Sequence, residues 1–185
     1  MIKVIRCCLL IIFSFHANAE NDASMLFNTI NERLSYMEDV ALFKAVNHLP
    51  IEDSPREKRV IASAQISAAT QGLDSALIKD FFKAQIDVAK AIQYRYRADL
   101  LSQPRLDTPK DLRLEIRPHL IRLGDSLIVQ LSNYIKKHGQ IQANEFETFN
   151  SSIEHRYISD ADKLRLFNAL MQVDYLNKPD SNKLD

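Results

Sequence analysis

The apolar residues of this chain recur at every third or fourth position rather than at every second, and that spacing constrains the fold more than any other feature. Between Ile116 and Tyr134 it produces a clean stripe: Ile116, Leu120, Leu123, Leu127, Leu131 and Tyr134. A helix turning about 100° per residue gathers these on one side, whereas a strand would scatter them over two faces. The chain has only three glycines in 185 residues and is rich in Leu, Ala, Lys, Glu and Gln, so local propensity agrees with the pattern. We read the chain as all-α, one helical domain without internal repeats.

Punctuation divides it into segments. A first helix is expected from about Ala23 to Asn47, stopped by Pro50. A second starts at Ser54, where Ser54-Pro55-Arg56-Glu57 has the pattern of a capping box with proline at the first helical position, and ends near Gly72. A third runs from about Asp74 to Ser102 and stops before Pro104. The fourth begins around Thr108-Pro109-Lys110-Asp111 and ends at Gly139, with Pro118 marking either a kink or a later start. Shorter helices follow near Ala143–Ser151 and Ser159–Val173, then a polar tail from Asn177 to Asp185.

The first nineteen residues read as a secretory signal peptide. Lys3 and Arg6 give a positive start, Cys7 to Phe15 form an apolar run too short to span a bilayer, and Ala17-Asn18-Ala19 is a small-x-small cleavage site. Arg6 interrupts the apolar context that a lipid anchor at Cys7 or Cys8 would need. Cleavage near Ala19-Glu20 would leave residues 20–185 in the periplasm or outside the cell. Both cysteines lie in the leader, so the mature chain would have neither a disulfide nor a thiol nucleophile nor a thiolate metal site. Without Lys3 and Arg6 it would carry 22 basic against 24 acidic residues, a balance that argues against a nucleic-acid surface. No second run is long enough to cross a membrane.

One helical face departs from this plain picture. Leu26, Ile30, Arg33, Met37, Val40 and Lys44 follow the spacing of a buried seam, yet two of the six are cationic. Eleven residues place Arg33 and Lys44 within about 20° of one direction and roughly 16 Å apart along the axis. Buried unpaired cations are costly, so either these side chains reach solvent or neighbouring acids, or they line a pocket for an anionic small molecule. Gln93 intrudes similarly on the third helix, continuing the apolar face of Ile78, Phe82, Ile86 and Ala89, with Gln85 near the same side. Asp53 and Glu57 have an ordinary reading as helix-start acceptors. Arg56 does not, since a cation is disfavoured in a first turn unless an anion sits beside it. The histidines His48, His119, His138 and His155 show no partner spacing and read as surface or helix-end residues.

Taken together, Glu32-Arg33-Leu34, Phe43-Lys44, the corner Leu49-Pro50-Ile51-Glu52-Asp53-Ser54 followed by Arg56, and Gln85-Ile86 through Ile92-Gln93-Tyr94 resemble the AroQ-type chorismate mutases. The leader and the C-terminal helices look like the secreted, gamma subclass. The resemblance covers about Asn21 to Pro104 well, as a core spanning 21–104, and the helical extension 105–176 loosely. It implies a chorismate mutase II type helical bundle that converts chorismate to prephenate without metal or cofactor. It further implies that Arg33 and Arg56 clamp substrate carboxylates, that Lys44 and Gln93 donate to the ether oxygen, that Glu57 accepts from the substrate hydroxyl, and that Asp53 orders the turn. Some family members add a cation from the fourth helix. Here Ser126 stands where that arginine would be; Arg122, one turn earlier, is the candidate substitute and Arg117 the second choice, though either is equally readable as a solvated surface residue. The extra helix is compatible with a monomer or a homodimer. A non-catalytic periplasmic module binding a small dicarboxylate or a protein partner is the alternative reading.

Overall fold

The structure, a computed structural model, describes residues 21–103 and 108–176. The expected leader, the residues around Pro104 and the polar tail lie outside the described residues. The all-α expectation holds: among the described residues α1 (21–35), α2 (Met37–Val46), α3 (Ser54–Thr70), α4 (Ser75–Ser102), α5 (Arg117–His138), α6 (Phe146–Ser152) and α7 (Asp160–Met171) are joined by a short π-helical turn at Leu112–Ile116 and a 3-10 turn at Ala143–Glu145. An isolated antiparallel bridge, Leu73 to Tyr175, is the extended pairing among the described residues.

The first expected helix is interrupted at Tyr36, giving α1 and α2. Beside the interruption the Ser35 hydroxyl donates to the Glu32 carbonyl at 2.8 Å, a side-chain bond to the helix backbone of the kind that bends helices. The seam continues across the interruption, because Leu26, Ile30, Leu34, Met37, Val40 and Ala41 are all buried. At its far end α2 closes in a Schellman turn, with His48 N–H donating to Ala45 and Leu49 N–H to Lys44. His48 takes the left-handed position with φ 53°, so it is a helix-end residue as its place in the sequence suggested.

The start of α3 lies one residue earlier than the sequence pattern implies. Asp53, not Ser54, is the cap: its Oδ1 accepts from Arg56 N–H at 3.1 Å, and Asp53 N–H donates to Glu57 Oε1 at 3.2 Å. Pro55 thus occupies the second helical position. This reciprocal pair holds the corner between α2 and α3 in one shape.

The fourth helix starts late. Asp111 caps a π-helical turn, Leu112–Ile116, by accepting from Arg113 and Leu114 N–H groups at 2.7 Å each, and α5 follows with Pro118 in its first turn. Proline is tolerated there because the first turn's N–H groups have no intrahelical partners. Packing joins α2, α3 and α7 to α4, and α5 to α3. The buried apolar cluster runs without a break from Ala23 on α1 to Val173 beyond α7. At the far end, Gly72 O accepts from Leu176 N–H at 3.1 Å, and the Tyr175 hydroxyl donates to Ser132 O, tying the last described residues to α5 and to the α3–α4 turn.

Two histidines expected at the surface are not free there. The side chain of His155 is only 5% exposed and faces Glu38 at 3.7 Å, and burial lowers its pKa. His138 lies 2.9 Å from Asp22. Their partners come from α1 and α2, more than a hundred residues away in sequence, so no local spacing announces them.

Candidate active site

A cavity of about 260 Å³ opens among α1, α2, α3, α4 and α5. Its charged lining is unbalanced: Arg33, Lys44, Arg56, Arg59, Lys90 and Arg117 against Asp53, Glu57 and Asp125. Apolar side chains, among them Met37, Val40, Ile86 and Ile128, fill the wall between them. Such a chamber suits a ligand with a small apolar body and more than one negative charge.

Lys44 sits at its buried end, 8% exposed. The Schellman turn and the chain reversal at Pro50 bring Ile51 back over α2, so the ammonium donates to Ile51 O at 2.6 Å and to Gln93 Oε1 at 3.3 Å. Burial lowers its pKa; Asp53, Glu57 and Glu52 work against that shift and Arg117 adds to it. Gln93, 4% exposed, is anchored by its own amide nitrogen, which donates to Ala89 O at 3.1 Å and lies 3.6 Å from Met37 Sδ. The Gln93 amide therefore turns its oxygen towards Lys44, and its second N–H donates to the Met37 thioether, a weak acceptor that a stronger one could replace.

Arg33 enters from α1. Its Nε donates to Gln85 Oε1 at 2.9 Å and its Nη1 to Leu120 O at 2.8 Å, with the guanidinium 5.4 Å from the Phe82 ring centre. Burial pulls its pKa down to about 10, partly offset by Asp125, so the group stays charged at neutral pH. The close approach to α5 depends on Gly124: a Cβ there would stand 3.0 Å from Arg33 Nη1. Gly124 has no need of unusual dihedrals. It is small because the guanidinium lies against it.

The corner supplies the opposite wall. Arg56 is half-buried, and burial, together with Arg117 and Arg59, pushes its pKa down. Two neighbouring cations beside a helix N-terminus leave a site that gains from an anion. Arg117 reaches over from α5, its Nη2 3.6 Å from Asp53 Oδ2. Glu57 is held between the Asp53 N–H and the Lys90 ammonium, 3.5 Å from its Oε2.

The structure thus brings Arg33, Lys44, Asp53, Arg56, Glu57 and Gln93 to one cavity. It does not bring Arg122 there. Arg122 is exposed and hydrogen-bonds His119 at 2.8 Å. The cavity-facing side of α5 carries Arg117, Leu120, Ile121, Gly124 and Ile128, and five residues rotate Arg122 about 140° away from Arg117. Arg117 is the fourth-helix cation of the cavity. Lys90, Arg59 and Gly124 were not legible as lining residues. For Arg117 a signal existed in its helical register with Leu120, Gly124 and Ile128. Among the described residues no group of three or more His, Cys, Asp or Glu side chains comes together to hold a metal ion.

Comparison with known proteins agrees with this geometry. Residues 22–94, which carry the Arg33, Lys44, corner and Gln93 positions, match the family described as chorismate mutase type II. The chain is 43% identical over 145 residues to a secreted chorismate mutase of Yersinia pestis, covering 78% of this chain and 77% of that protein. The chain belongs to the chorismate mutase type II family. A monofunctional chorismate mutase of Enterobacter agglomerans is 34% identical over 148 residues, covering 80% of this chain and 81% of the other. Among solved structures, the secreted chorismate mutase from Yersinia pestis superposes with a TM-score of 0.76 at 41% identity, covering 82% of this chain and 97% of that one. The chorismate mutase from Burkholderia thailandensis gives 0.67 at 28% identity, with 80% and 96% covered. Two features of this chorismate mutase's cavity, Arg117 and Gly124, lie beyond the residues matched by the family as a whole.

Proposed function

We propose that this protein is an exported chorismate mutase, an isomerase that rearranges chorismate to prephenate in the cavity between α1 and α5. The observation that carries the site assignment is the Lys44–Gln93 contact at the buried end of a cavity whose charged lining is mainly cationic. The reaction breaks one C–O bond and forms one C–C bond within a single molecule, so no proton, electron or leaving group has to be supplied. What the site must do is hold the folded form of a dianion and stabilise the charge that gathers on the ether oxygen as the C–O bond lengthens.

The residues divide these tasks. Arg33 and Arg56 each offer a planar guanidinium to a carboxylate, and Arg117 adds a third cation beside Arg56. Lys44 and the Gln93 N–H that otherwise meets only the Met37 thioether flank the ether oxygen. Glu57 accepts from the ring hydroxyl, while Asp53 caps α3 and keeps Arg56 and Arg117 in place. A millionfold acceleration needs roughly 8 kcal/mol of transition-state stabilisation. One donor engaged mainly in the transition state supplies about 3–4 of that. Electrostatics at Lys44 and preorganisation by the arginines are together sufficient. No metal, cofactor or covalent intermediate enters.

Export is supported by the signal-peptide pattern at residues 1–19 and by relatives named as secreted chorismate mutases. No helix among the described residues is long and apolar enough to cross a membrane. On this reading residues 20–185 form one catalytic unit, with the segment after residue 104 contributing the α5 wall.

The test is disappearance of chorismate absorbance with the mature protein from Glu20 onward, beside Lys44→Ala. Turnover by the first and its loss by a factor of about 10² to 10³ in the second is the expected result. A folded mature protein that does not consume chorismate would overturn the proposal.

A further inference from the structure

Gln85 is buried, 4% exposed, and lines the cavity beside Arg33. The orientation of its amide is fixed by chemistry. Arg33 Nε can only donate, so the Gln85 oxygen must face it, as the 2.9 Å bond requires, and the NH2 group must point away from Arg33 Nε. That NH2 group has no hydrogen-bond partner and is shielded from water. A buried donor without an acceptor is costly, and a methionine or leucine would fill the same volume without that cost. The amide is explained if an acceptor arrives with the ligand.

Arg33 points to where that acceptor would be. Of its five N–H groups, one is taken by Gln85 and one by Leu120 O, leaving three for an incoming carboxylate. We infer that Gln85 is a second donor to the carboxylate bound by Arg33, and that the same side chain sets the plane of the guanidinium that receives it. The inference rests on the cavity being the chorismate site. It adds a residue of substrate recognition two turns before the Lys44–Gln93 end: Gln85 and Gln93 are eight residues apart on α4, along one face.

The experiment compares wild type, Gln85→Met and Gln85→Glu in steady-state chorismate turnover across pH. Gln85→Met removes donor and acceptor at similar volume and is expected to raise KM about tenfold or more, with a smaller effect on kcat. Gln85→Glu keeps an oxygen for Arg33 but sets a carboxylate against the substrate's carboxylate. Its KM should exceed that of wild type at neutral pH and recover as pH falls through the introduced group's pKa, because the protonated acid donates again. A residue that only props up Arg33 would tolerate glutamate and show no such recovery. Wild-type-like KM for Gln85→Glu at every pH would overturn the inference while leaving the functional reading intact. A folded wild type without turnover would overturn both. Should Gln85→Met fail to fold, Gln85→Glu alone carries the test.

Discussion

The Lys44 ammonium and the Gln93 side-chain oxygen meet at 3.3 Å, joining α2 to α4 at the buried end of the cavity. The contact has two consequences for one oxygen atom placed beside it. Lys44 supplies a full positive charge in surroundings that penalise it. Gln93 supplies a neutral donor that cannot lose its function through titration. The two differ in how they respond to pH.

Lys44 should set an alkaline limit on catalysis. Burial lowers its pKa from the usual 10.5, so the free enzyme loses the charged form below that value as pH rises. A bound dianion favours the charged form and moves the pKa back up. The alkaline limb of kcat/KM should therefore lie at lower pH than the limb of kcat. The same shift bears on folding: the unfolded chain holds the Lys44 proton more tightly than the folded one, so stability rises with pH between the folded and unfolded pKa values. Coincident limbs in pH–rate profiles would show that Lys44 does not face the substrate.

Gln93→Glu converts the neutral donor into a titratable one. A glutamic acid donates only when protonated, so the variant should be active at acid pH and lose activity as pH rises through its carboxyl pKa. Wild type should show no such fall between about pH 5 and 7. A wild-type profile that drops steeply in that range, or a Gln93→Glu profile that stays flat, would remove Gln93 from the oxygen.

Arg117 and Arg122 are a matched pair for testing which α5 cation serves the site. Arg117 lies in the cavity, 3.6 Å from Asp53, whereas Arg122 is outside it on His119. Arg117→Ala is expected to raise KM by about tenfold, the scale of a charge-assisted hydrogen bond. Arg122→Ala should stay within about 0.5 kcal/mol in both stability and kcat/KM, as surface substitutions do. Reversal of that order in steady-state kinetics would return the role to Arg122.

What the sequence made legible was whatever is written within one helix or one turn. The all-α fold follows from spacing, and Arg33 and Lys44 drew notice because cations broke an apolar seam. The corner could be read because Asp53, Arg56 and Glu57 lie within five residues, although the cap was displaced by one. Contacts between distant segments were not legible. Sequence alone favours Arg122 over Arg117 because it lies one turn before Ser126 on the same face, but which face of α5 meets the cavity is decided by packing against α3. His155 with Glu38 and His138 with Asp22 escaped for the same reason.

Gly124 offers a test in which stability and function move in opposite directions. It sits inside α5, where alanine is favoured over glycine by about 1 kcal/mol, so Gly124→Ala should leave the fold at least as stable. The new methyl would lie 3.0 Å from Arg33 Nη1, so the guanidinium would have to give by a few tenths of an ångström, stretching its bonds to Leu120 O and Gln85. Displacing the carboxylate clamp by a few tenths of an ångström should raise KM several-fold, with Tm unchanged or higher, and Gly124→Val should be worse. Thermal melts beside steady-state kinetics measure both quantities on the same samples. A Gly124→Ala enzyme with normal KM would mean that Arg33 reaches the substrate from a position in which contact with α5 plays no part.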